Sequence, residues 1–430
     1  MGATFCAMAN ESDAMTPETD PNFTRRRIVV GGVALLGIGV AIVAAVGLTG
    51  GDESDTLTIS VPSTTTTTTT LPPATTVATT TTFLPAATTT RPATTTTTTT
   101  SPSTTTTTST TTTIPTPSTI LENGVPIWEP YEPLPGLDGI AALTGEPAEA
   151  DVTSRPIVAA KIDNFSRARP QWALDQADVI FEENVEGVTR FVALFHTRLP
   201  DRVGPVRSAR TGDLDILASM NRPILAWSGG NQGVTNWIES AARSGILVDF
   251  TAQTNPCYNR NSSRRAPHNL QLNPSCAIDN APTAGPARPL WSINAAWEVP
   301  EGSSAVGEAN FSVAMDGVAV DWAWDAESGK YLRSQNGGRH LAASGNQIAV
   351  DNVVEMSVFH APSPVDARSP NPITIGGANA VIHRNGISIP ATWYRESAYD
   401  SFLFFDRSTG EPIELNEGTT FVELVRDRPR

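Results

Sequence analysis

Short apolar runs alternating with amphipathic segments are the main pattern of residues 126–280. Four of these runs have the length and composition of buried β-strands: Ile157–Ile162, Val179–Phe181, Phe191–Phe195 and Ile224–Trp227. Apolar residues also recur at helical spacing, first at Leu214, Leu217 and Met220, then at Val234, Trp237, Ile238 and Ala241. Strands that alternate with helices predict an α/β domain over residues 126–280.

The pattern changes in residues 309–430 to closely spaced short strands. Turn dipeptides that end in glycine, among which Asn-Gly and Asp-Gly are strong hairpin signals, separate them: Asp316-Gly317, Ser328-Gly329, Asn336-Gly337 and Asn385-Gly386. The predicted strands are Phe311–Met315, Val318–Trp324, Val353–Phe359, Ala380–His383, Ile387–Ile389, Thr392–Tyr394, Phe402–Phe405 and Phe421–Val425. We predict a smaller, mostly antiparallel β domain, joined to the first by a Gly-, Pro- and Ala-rich linker at residues 281–308.

An apolar and glycine-containing stretch near the N-terminus, Ile28–Leu48, is long enough to span a bilayer as a helix. Arg25, Arg26 and Arg27 precede it, so the positive-inside rule places residues 1–27 in the cytoplasm and the later domains outside the membrane. The alternative is a cleaved signal peptide, including one of the twin-arginine type. We expect a retained single-pass anchor, because the apolar region of a signal peptide is ordinarily only about 7–15 residues long.

Threonine and proline dominate residues 49–125, and Arg91 is the only charged residue between positions 64 and 119. Such a segment buries too little apolar surface to offset its loss of chain entropy on folding. We therefore predict a disordered stalk, either O-glycosylated or a plain linker. At about 3.1 Å per residue, an extended stalk would hold the folded domains well away from the membrane.

The charge distribution and the cysteines indicate which partners, cross-links and cofactors to expect. The chain has a net charge of −15, yet residues 155–265 carry 14 Lys and Arg against 11 Asp and Glu. The acidic total and the predicted export argue against a nucleic-acid partner. Cys257 and Cys276 are the only cysteines outside the predicted cytoplasmic tail, and they can form a disulfide in an oxidising compartment. Neither zinc-ligand spacing nor a nucleotide-binding glycine motif is present, so no metal or cofactor is indicated.

Several strings resemble the YerB-like family of two-domain lipoproteins, for which no activity is assigned. The most specific is Val203-Gly-Pro-Val-Arg-Ser-Ala-Arg210, and further matches are Lys161-Ile-Asp-Asn164, Thr-Arg-Phe191, Arg265-Ala-Pro-His-Asn-Leu270 and Phe405-Asp-Arg-Ser-Thr-Gly410. The resemblance extends from about Leu143 to Val425 and implies the two-domain fold. This chain departs from the family in two ways: it has a spanning segment and stalk, and only Gly187 precedes the Thr-Arg-Phe motif.

The arginines of these strings are the leading candidates for ligand binding. We expect Ser208 or Thr211 to cap the helix that follows Gly204-Pro205, which places Arg207 and Arg210 at its N-terminus. Cations are unfavourable there unless an anion binds among them, and Arg190 is included in the same candidate set. The alternative is internal pairing with a carboxylate from the set Asp163, Glu182, Glu183 and Glu186.

Two further segments are candidate parts of the same site. Gly229 and Gly230 lie between a predicted strand and a predicted helix, where they either let a ligand approach the backbone or serve only a tight turn. The loop between the cysteines carries Arg264, His268 and Asn269. These three residues either close over a bound anion or belong to a solvated basic loop.

From these observations we predict a membrane-tethered extracytoplasmic protein that binds an anionic cell-envelope component, such as a wall polymer. One alternative is an envelope hydrolase or transferase acting on an anionic glycan, with Asp163, Glu186 and His268 as candidate acid–base groups. A hydrolase would pair Ser208 or Ser228 with His268 and Asp163, although no Gly-x-Ser-x-Gly elbow is present. The other alternative is a scaffold for wall-synthesis proteins.

Overall fold

The computed structural model describes residues 119–120, 126–127, 131, 133–307 and 310–427. The predicted cytoplasmic tail, the predicted membrane span Ile28–Leu48 and nearly all of the predicted stalk lie outside these residues. Among the helices of the described part, none combines the length and the hydropathy that a membrane crossing requires.

The described residues contain short helices and many strands, numbered here in chain order. The helices are α1 (Ala150–Thr153), α2 (Asp213–Leu217), α3 (Gln232–Arg243) and α4 (Pro274–Asp279), with 3₁₀ turns at Ser166–Ala168, Leu174–Gln176 and Ala218–Met220. The first strands are β1 (Thr119–Ile120), β2 (Pro126–Ile127), β3 (Val158–Asp163), β4 (Val179–Asn184), β5 (Thr189–Phe195), β6 (Ile224–Trp227), β7 (Val248–Thr251), β8 (Tyr258–Arg260) and β9 (Leu270–Leu272). The later strands are β10 (Asn310–Met315), β11 (Val318–Asp325), β12 (Lys330–Gln335), β13 (Gly338–Arg339), β14 (Ala349–Val350), β15 (Asn352–Val358), β16 (His360–Ser363), β17 (Asp366–Pro372), β18 (Gly376–Arg384), β19 (Ile387–Arg395), β20 (Leu403–Asp406) and β21 (Thr420–Arg426).

A single ten-stranded sheet runs through both halves of the folded region. Its strand order is β20-β19-β18-β15-β21-β4-β5-β3-β6-β7, and the two halves meet where β21 pairs in parallel with β4. On its other side β21 also pairs in parallel with β15. The first five residues of β21 are buried, as expected for a parallel strand covered on both faces.

Each face of this sheet has its own apolar core, because successive side chains of a strand point to opposite faces. On one face Phe181 belongs to the same buried cluster as Leu217 of α2 and Ile238 of α3. On the other face Phe191 is clustered with Trp322 of β11. That second face is covered by a five-stranded sheet of order β10-β11-β12-β13, with β14 beside β12.

Turns of the second half adopt the backbone that their sequences predict. Asn336 and Gly337 have φ angles of 52° and 77°, and Asn385 and Gly386 have φ angles of 51° and 74°. Two consecutive residues with positive φ define the tight hairpin turn that Asn-Gly favours. The second half is accordingly mostly antiparallel, as predicted, with β21 as the parallel exception.

A buried ionic cluster links the two halves on the second face. Arg333 of β12 donates to Glu182 of β4, and its Nε lies 3.7 Å from Oε1 of Glu423 on β21. All three side chains are fully buried, and burial together with the nearby Glu182 charge raises the pKa of Glu423 well above its ordinary value. Of the four carboxylates offered as alternative partners of Arg207 and Arg210, Glu182 is therefore occupied by Arg333.

Candidate functional site

The Val203–Arg210 string lies against the carboxyl end of β3. Val206 forms an antiparallel bridge with Ile162, and the backbone N–H of Arg207 donates to the carbonyl of Lys161 at 2.8 Å. The N–H of Ser228, just after β6, in turn donates to the carbonyl of Arg207 at 2.9 Å. The string therefore bridges the ends of two parallel strands, which is the edge where α/β sheets commonly bind ligands.

Asp163 is the centre of this edge. Its carboxylate is nearly buried, with Oδ2 lying 2.7 Å from Nδ1 of His268 and 3.1 Å from Nε of Arg207. Oδ1 accepts the backbone N–H of Phe165 at 3.0 Å, and the Phe165 ring stacks on His268 with centroids 5.3 Å apart. Because the carboxylate is an acceptor, Nδ1 of His268 is the protonated nitrogen and Nε2 is left to face outward.

The loop that carries His268 is firmly held. A disulfide joins Cys257 to Cys276 across the base of the β8–β9 hairpin. Inside the loop, the Asn269 amide donates to the carbonyls of Asn261 and Arg264 at 3.1 and 3.0 Å. The order of this loop thus comes from covalent and polar links rather than from apolar burial.

Arg264 anchors the same loop to the segment after β3. Its two terminal nitrogens each donate at 2.6 Å to a carbonyl, those of Ala168 and Pro170, and its guanidinium lies 3.9 Å above the Trp172 ring. These contacts favour a positioning role for Arg264, and Asn269 likewise braces the loop from within. Of the three loop candidates, the structure brings only His268 to Asp163.

Three arginines converge on this edge: Arg190, Arg207 and Arg210. Arg190 faces Asp163 across the β3–β5 ladder, is only 7% exposed, and donates a long 3.4 Å hydrogen bond to the carbonyl of Ser208. Burial, followed by the charges of Arg210 and Arg207, lowers the pKa of Arg190 to about 10. It therefore remains a cation at neutral pH, and an energetically costly one.

The Nε–H groups of these three arginines are all buried, and none makes a hydrogen bond to the described residues. Arg207 has an ion pair with Asp163, but that contact does not satisfy its Nε–H. Arg210 pairs with Glu186 at 2.6 Å. Among the described residues Arg190 has no ion pair with a carboxylate, and the favourable charges of Asp163 and Glu183 are outweighed by burial and by the two neighbouring arginines.

Glu186 is held in its ionised form. Burial opposes ionisation, but hydrogen bonds from Arg210 and Ser369 and the Arg210 charge outweigh it and lower the pKa of Glu186 to about 2. A carboxyl group with so low a pKa does not hold a proton near neutral pH. The geometry therefore favours Glu186 as an ion-pair partner over Glu186 as an acid.

A buried lysine, Lys161, is linked through Asp213 to the backbone of the Val203–Arg210 string. Lys161 of β3 contacts Glu183 and lies 2.5 Å from Oδ1 of Asp213, with all three side chains at most 1% exposed. The other oxygen of Asp213 accepts the backbone N–H of Arg210 at 2.7 Å. Of the alternative carboxylate partners, Asp163 and Glu186 pair with Arg207 and Arg210, whereas Glu183 contacts Lys161.

The residue at the N-cap of α2 differs from the predicted one. Gly212 is the N-cap of α2 and makes no side-chain hydrogen bond, whereas the Thr211 hydroxyl bonds to Ser363 and Asn371. The prediction that Ser208 or Thr211 caps this helix was wrong, because the side chain of Thr211 bonds to the β16–β17 hairpin. With only five residues, α2 also provides no substantial dipole for an anion.

A pocket of about 240 Å³ opens instead at the N-terminus of the twelve-residue α3. Asn231 caps this helix by accepting the N–H of Val234 at 2.9 Å. Gly229 has a φ of 91°, and a Cβ there would lie 3.1 Å from the Ser208 hydroxyl. The pocket lining is Glu186, Ser208, Arg210, Gly230, Asn231, Val234, Asp366 and Ser369.

Comparison with known proteins identifies the family. Residues 143–287 match the family described as "Protein of unknown function (DUF3048) N-terminal domain", and residues 310–422 match its C-terminal domain. These two ranges together cover more than half of the chain. The chain belongs to the DUF3048 family.

One relative, the YerB protein of Bacillus subtilis, matches this chain both in sequence and in structure. The chain is 26% identical over 304 residues to "Putative lipoprotein YerB" of Bacillus subtilis, which corresponds to 67% of this chain and 86% of that protein. The crystal structure of the B. subtilis YerB protein superposes with a TM-score of 0.57 at 23% identity, covering 67% of this chain and 97% of the other. At this identity the structural likeness shows the fold alone, and the resemblance to the YerB-like family is confirmed.

All predicted site residues lie within the DUF3048 N-terminal domain match, but the pocket needs the C-terminal domain as well. Asp366 and Ser369 of β17 complete the lining beside Arg210. Sequence reasoning missed this contribution, because strand pairing between distant segments has no local signal. It also missed the triad of Lys161, Glu183 and Asp213, although a lysine within an apolar run was a visible sign of a buried charge.

Proposed function

We propose that this DUF3048 protein binds an anionic component of the cell envelope through the Arg190, Arg207 and Arg210 cluster and the adjoining pocket. The observation that carries the proposal is Arg190, a buried cation with no carboxylate partner among the described residues and an unpaired Nε–H. Burying a charge without an ion pair is costly, and the charges of Asp163 and Glu183 only partly offset that cost, so such a residue is best explained by a ligand that adds negative charge.

The internal-pairing alternative accounts for only part of the cluster. Arg207 pairs with Asp163 and Arg210 with Glu186, as a purely structural role would require. Arg190 belongs to neither pair: the charges of Asp163 and Glu183 favour its cation, but burial and the charges of Arg210 and Arg207 outweigh them. A phosphate or carboxylate group among the three would relieve that repulsion and accept the free N–H donors.

A location outside the cytoplasmic membrane supports an envelope ligand. The relative YerB carries the name of a lipoprotein. The apolar stretch Ile28–Leu48 and the Thr- and Pro-rich stalk of this chain are consistent with tethering to the membrane surface. A wall polymer is therefore the proposed source of the anion, with a wall-synthesis protein as the competing partner.

The test is retention of the purified full chain on cell-wall sacculi, with and without their anionic polymers, at increasing salt. The informative variant is Arg190→Met, which removes the buried charge without leaving any carboxylate unpaired. The matched control is Arg243→Met at the other end of α3, where the side chain is 68% exposed and the same charge is lost.

We expect polymer-dependent, salt-sensitive retention that falls about tenfold or more in Arg190→Met, as the loss of charge-assisted hydrogen bonds implies. Arg243→Met should bind like the natural protein. Equal retention by both variants, or retention on sacculi stripped of polymer, would contradict the proposal. Failure of the natural chain to bind at all would direct the search to a protein partner.

A further inference from the structure

One carboxylate oxygen orients both a histidine and an arginine at the edge of the sheet. Oδ2 of Asp163 lies 2.7 Å from Nδ1 of His268 and 3.1 Å from Nε of Arg207. Phe165 stacks on the histidine ring and, through its backbone N–H, holds the other oxygen of the same carboxylate. Two groups held by one atom are within a few ångströms of each other, in a fixed relation.

Asp163 contacts only one nitrogen of His268 and one nitrogen of Arg207. Nε2 of His268 has no hydrogen-bond partner among the described residues, and its side chain is 15% exposed. The Arg207 side chain is 25% exposed, and only its Nε contacts Asp163. An aspartate on Nδ1 of a histidine whose Nε2 faces solvent is the arrangement of a general base, since it fixes the tautomer and stabilises the imidazolium.

The adjoining cation limits what this base can act on. A carboxylate bound at Arg207 would offer no electrophilic centre to the water molecule that the base activates. A phosphodiester bound there would present its own phosphorus, and guanidinium groups match phosphate oxygens and stabilise charge that develops on them. Phosphodiesters are thus the class of anion for which this geometry is reactive.

We infer that the Asp163–His268 pair catalyses hydrolysis of a phosphodiester held at Arg207. Nε2 of His268 takes a proton from water, the water oxygen forms a bond to phosphorus, and the bond from phosphorus to the leaving oxygen breaks. The leaving oxygen then takes the proton from the His268 imidazolium, which returns the pair to its starting state. Arg207 stabilises the non-bridging oxygens throughout. This inference rests on the proposed anion site for its substrate.

The test uses the full chain with bis(4-nitrophenyl) phosphate as the probe and release of 4-nitrophenolate as the readout. The variant is His268→Ala, and the control is Arg265→Ala, an exposed residue of the same loop whose side chain has no hydrogen bond or ion pair with the described residues. We expect turnover in the natural chain and in Arg265→Ala, and a loss of about 10²- to 10⁴-fold in His268→Ala. Added imidazole should restore part of the lost rate by entering the space beside Phe165.

Rescue by imidazole separates proton transfer from a structural role, because a misfolded loop would not respond to it. Equal turnover in the natural chain and His268→Ala, no turnover in either, or a loss that imidazole does not restore would each overturn the inference. Retention on sacculi is measured on the same samples. Retention without turnover would leave the binding proposal intact, whereas histidine-dependent turnover without retention would remove only the wall-polymer ligand.

Discussion

Replacing the buried lysine tests how the arginine string is supported. The chain has only two lysines, Lys161 and Lys330, so the same substitution can be made in two different environments. Lys161 is fully buried between Glu183 and Asp213. Lys330 is 36% exposed and pairs with Asp351 at 2.7 Å.

The expected magnitudes differ because burial differs. Lys161→Met would leave two buried carboxylates without their cation, and removing one partner of a buried ion pair costs about 3–5 kcal/mol. Lys330→Met would break a partly exposed pair, which is worth about 0–1 kcal/mol. The difference between the stability losses of the two variants, roughly 3 kcal/mol, is a large fraction of the stability of an ordinary domain.

The assay is urea unfolding followed by tryptophan fluorescence, which reports on the buried Trp227 and Trp291. It should be run at pH 7 and at pH 5. Burial raises the folded-state pKa of Glu183, and Lys161→Met removes the cation that opposes this, so the penalty is complete above the folded-state pKa and shrinks as pH falls toward the unfolded value. Similar losses for the two lysine variants at pH 7 would refute the reasoning, and so would a penalty that grows at pH 5.

Three further substitutions test local features. Cys257→Ser should lower the free energy of unfolding by about 3 kcal/mol, because the disulfide joins residues 19 positions apart. Reduction of the natural chain should have the same effect in thermal unfolding. Gly337→Ala should lower the free energy of unfolding by about 1 kcal/mol, because of its positive φ alone. Gly386→Ala should lower it by more, because the added Cβ would also lie 2.8 Å from Nε1 of Trp324. Equal losses in the two variants would contradict the predicted clash. Asn231→Ala should lower the free energy of unfolding by about 1 kcal/mol through loss of the cap, whereas the half-buried Asn236→Ala within α3, which loses only an exposed hydrogen bond from Gln232, should lower it by less.

Local features of the fold were predictable because local sequence determines them. The bounds of β6, Ile224–Trp227, match the predicted strand, and β3, β4 and β5 lie within two residues of predicted runs at their N-termini. The Asn385-Gly386 hairpin formed as its sequence requires. These signals depend on periodicity and on turn chemistry, both of which operate over a few residues.

Strand order was not predictable from the same signals. The predicted strand Phe421–Val425 is present as part of β21, but it lies between β15 and β4 and unites the two halves in one sheet. Its mostly apolar sequence, interrupted only by Glu423, was a sign of burial on both faces, yet nothing local specifies the partners. The same limitation hid Asp366 and Ser369 of β17, which reach the pocket from the other half of the chain.

The candidate site divides into two parts that separate substitutions can distinguish. Asp163 holds Arg207 and His268 together, so changing it would disturb fold, binding and proton transfer at once. Arg190 is different, since its removal leaves no buried carboxylate unpaired. Arg190→Met should therefore be at least as stable as the natural chain while losing the anion, because burial and the neighbouring arginines outweigh the favourable charges of Asp163 and Glu183 in the unliganded state. A marked loss of stability in this variant would mean that Arg190 is a structural residue, and the argument for a ligand would lose its main support.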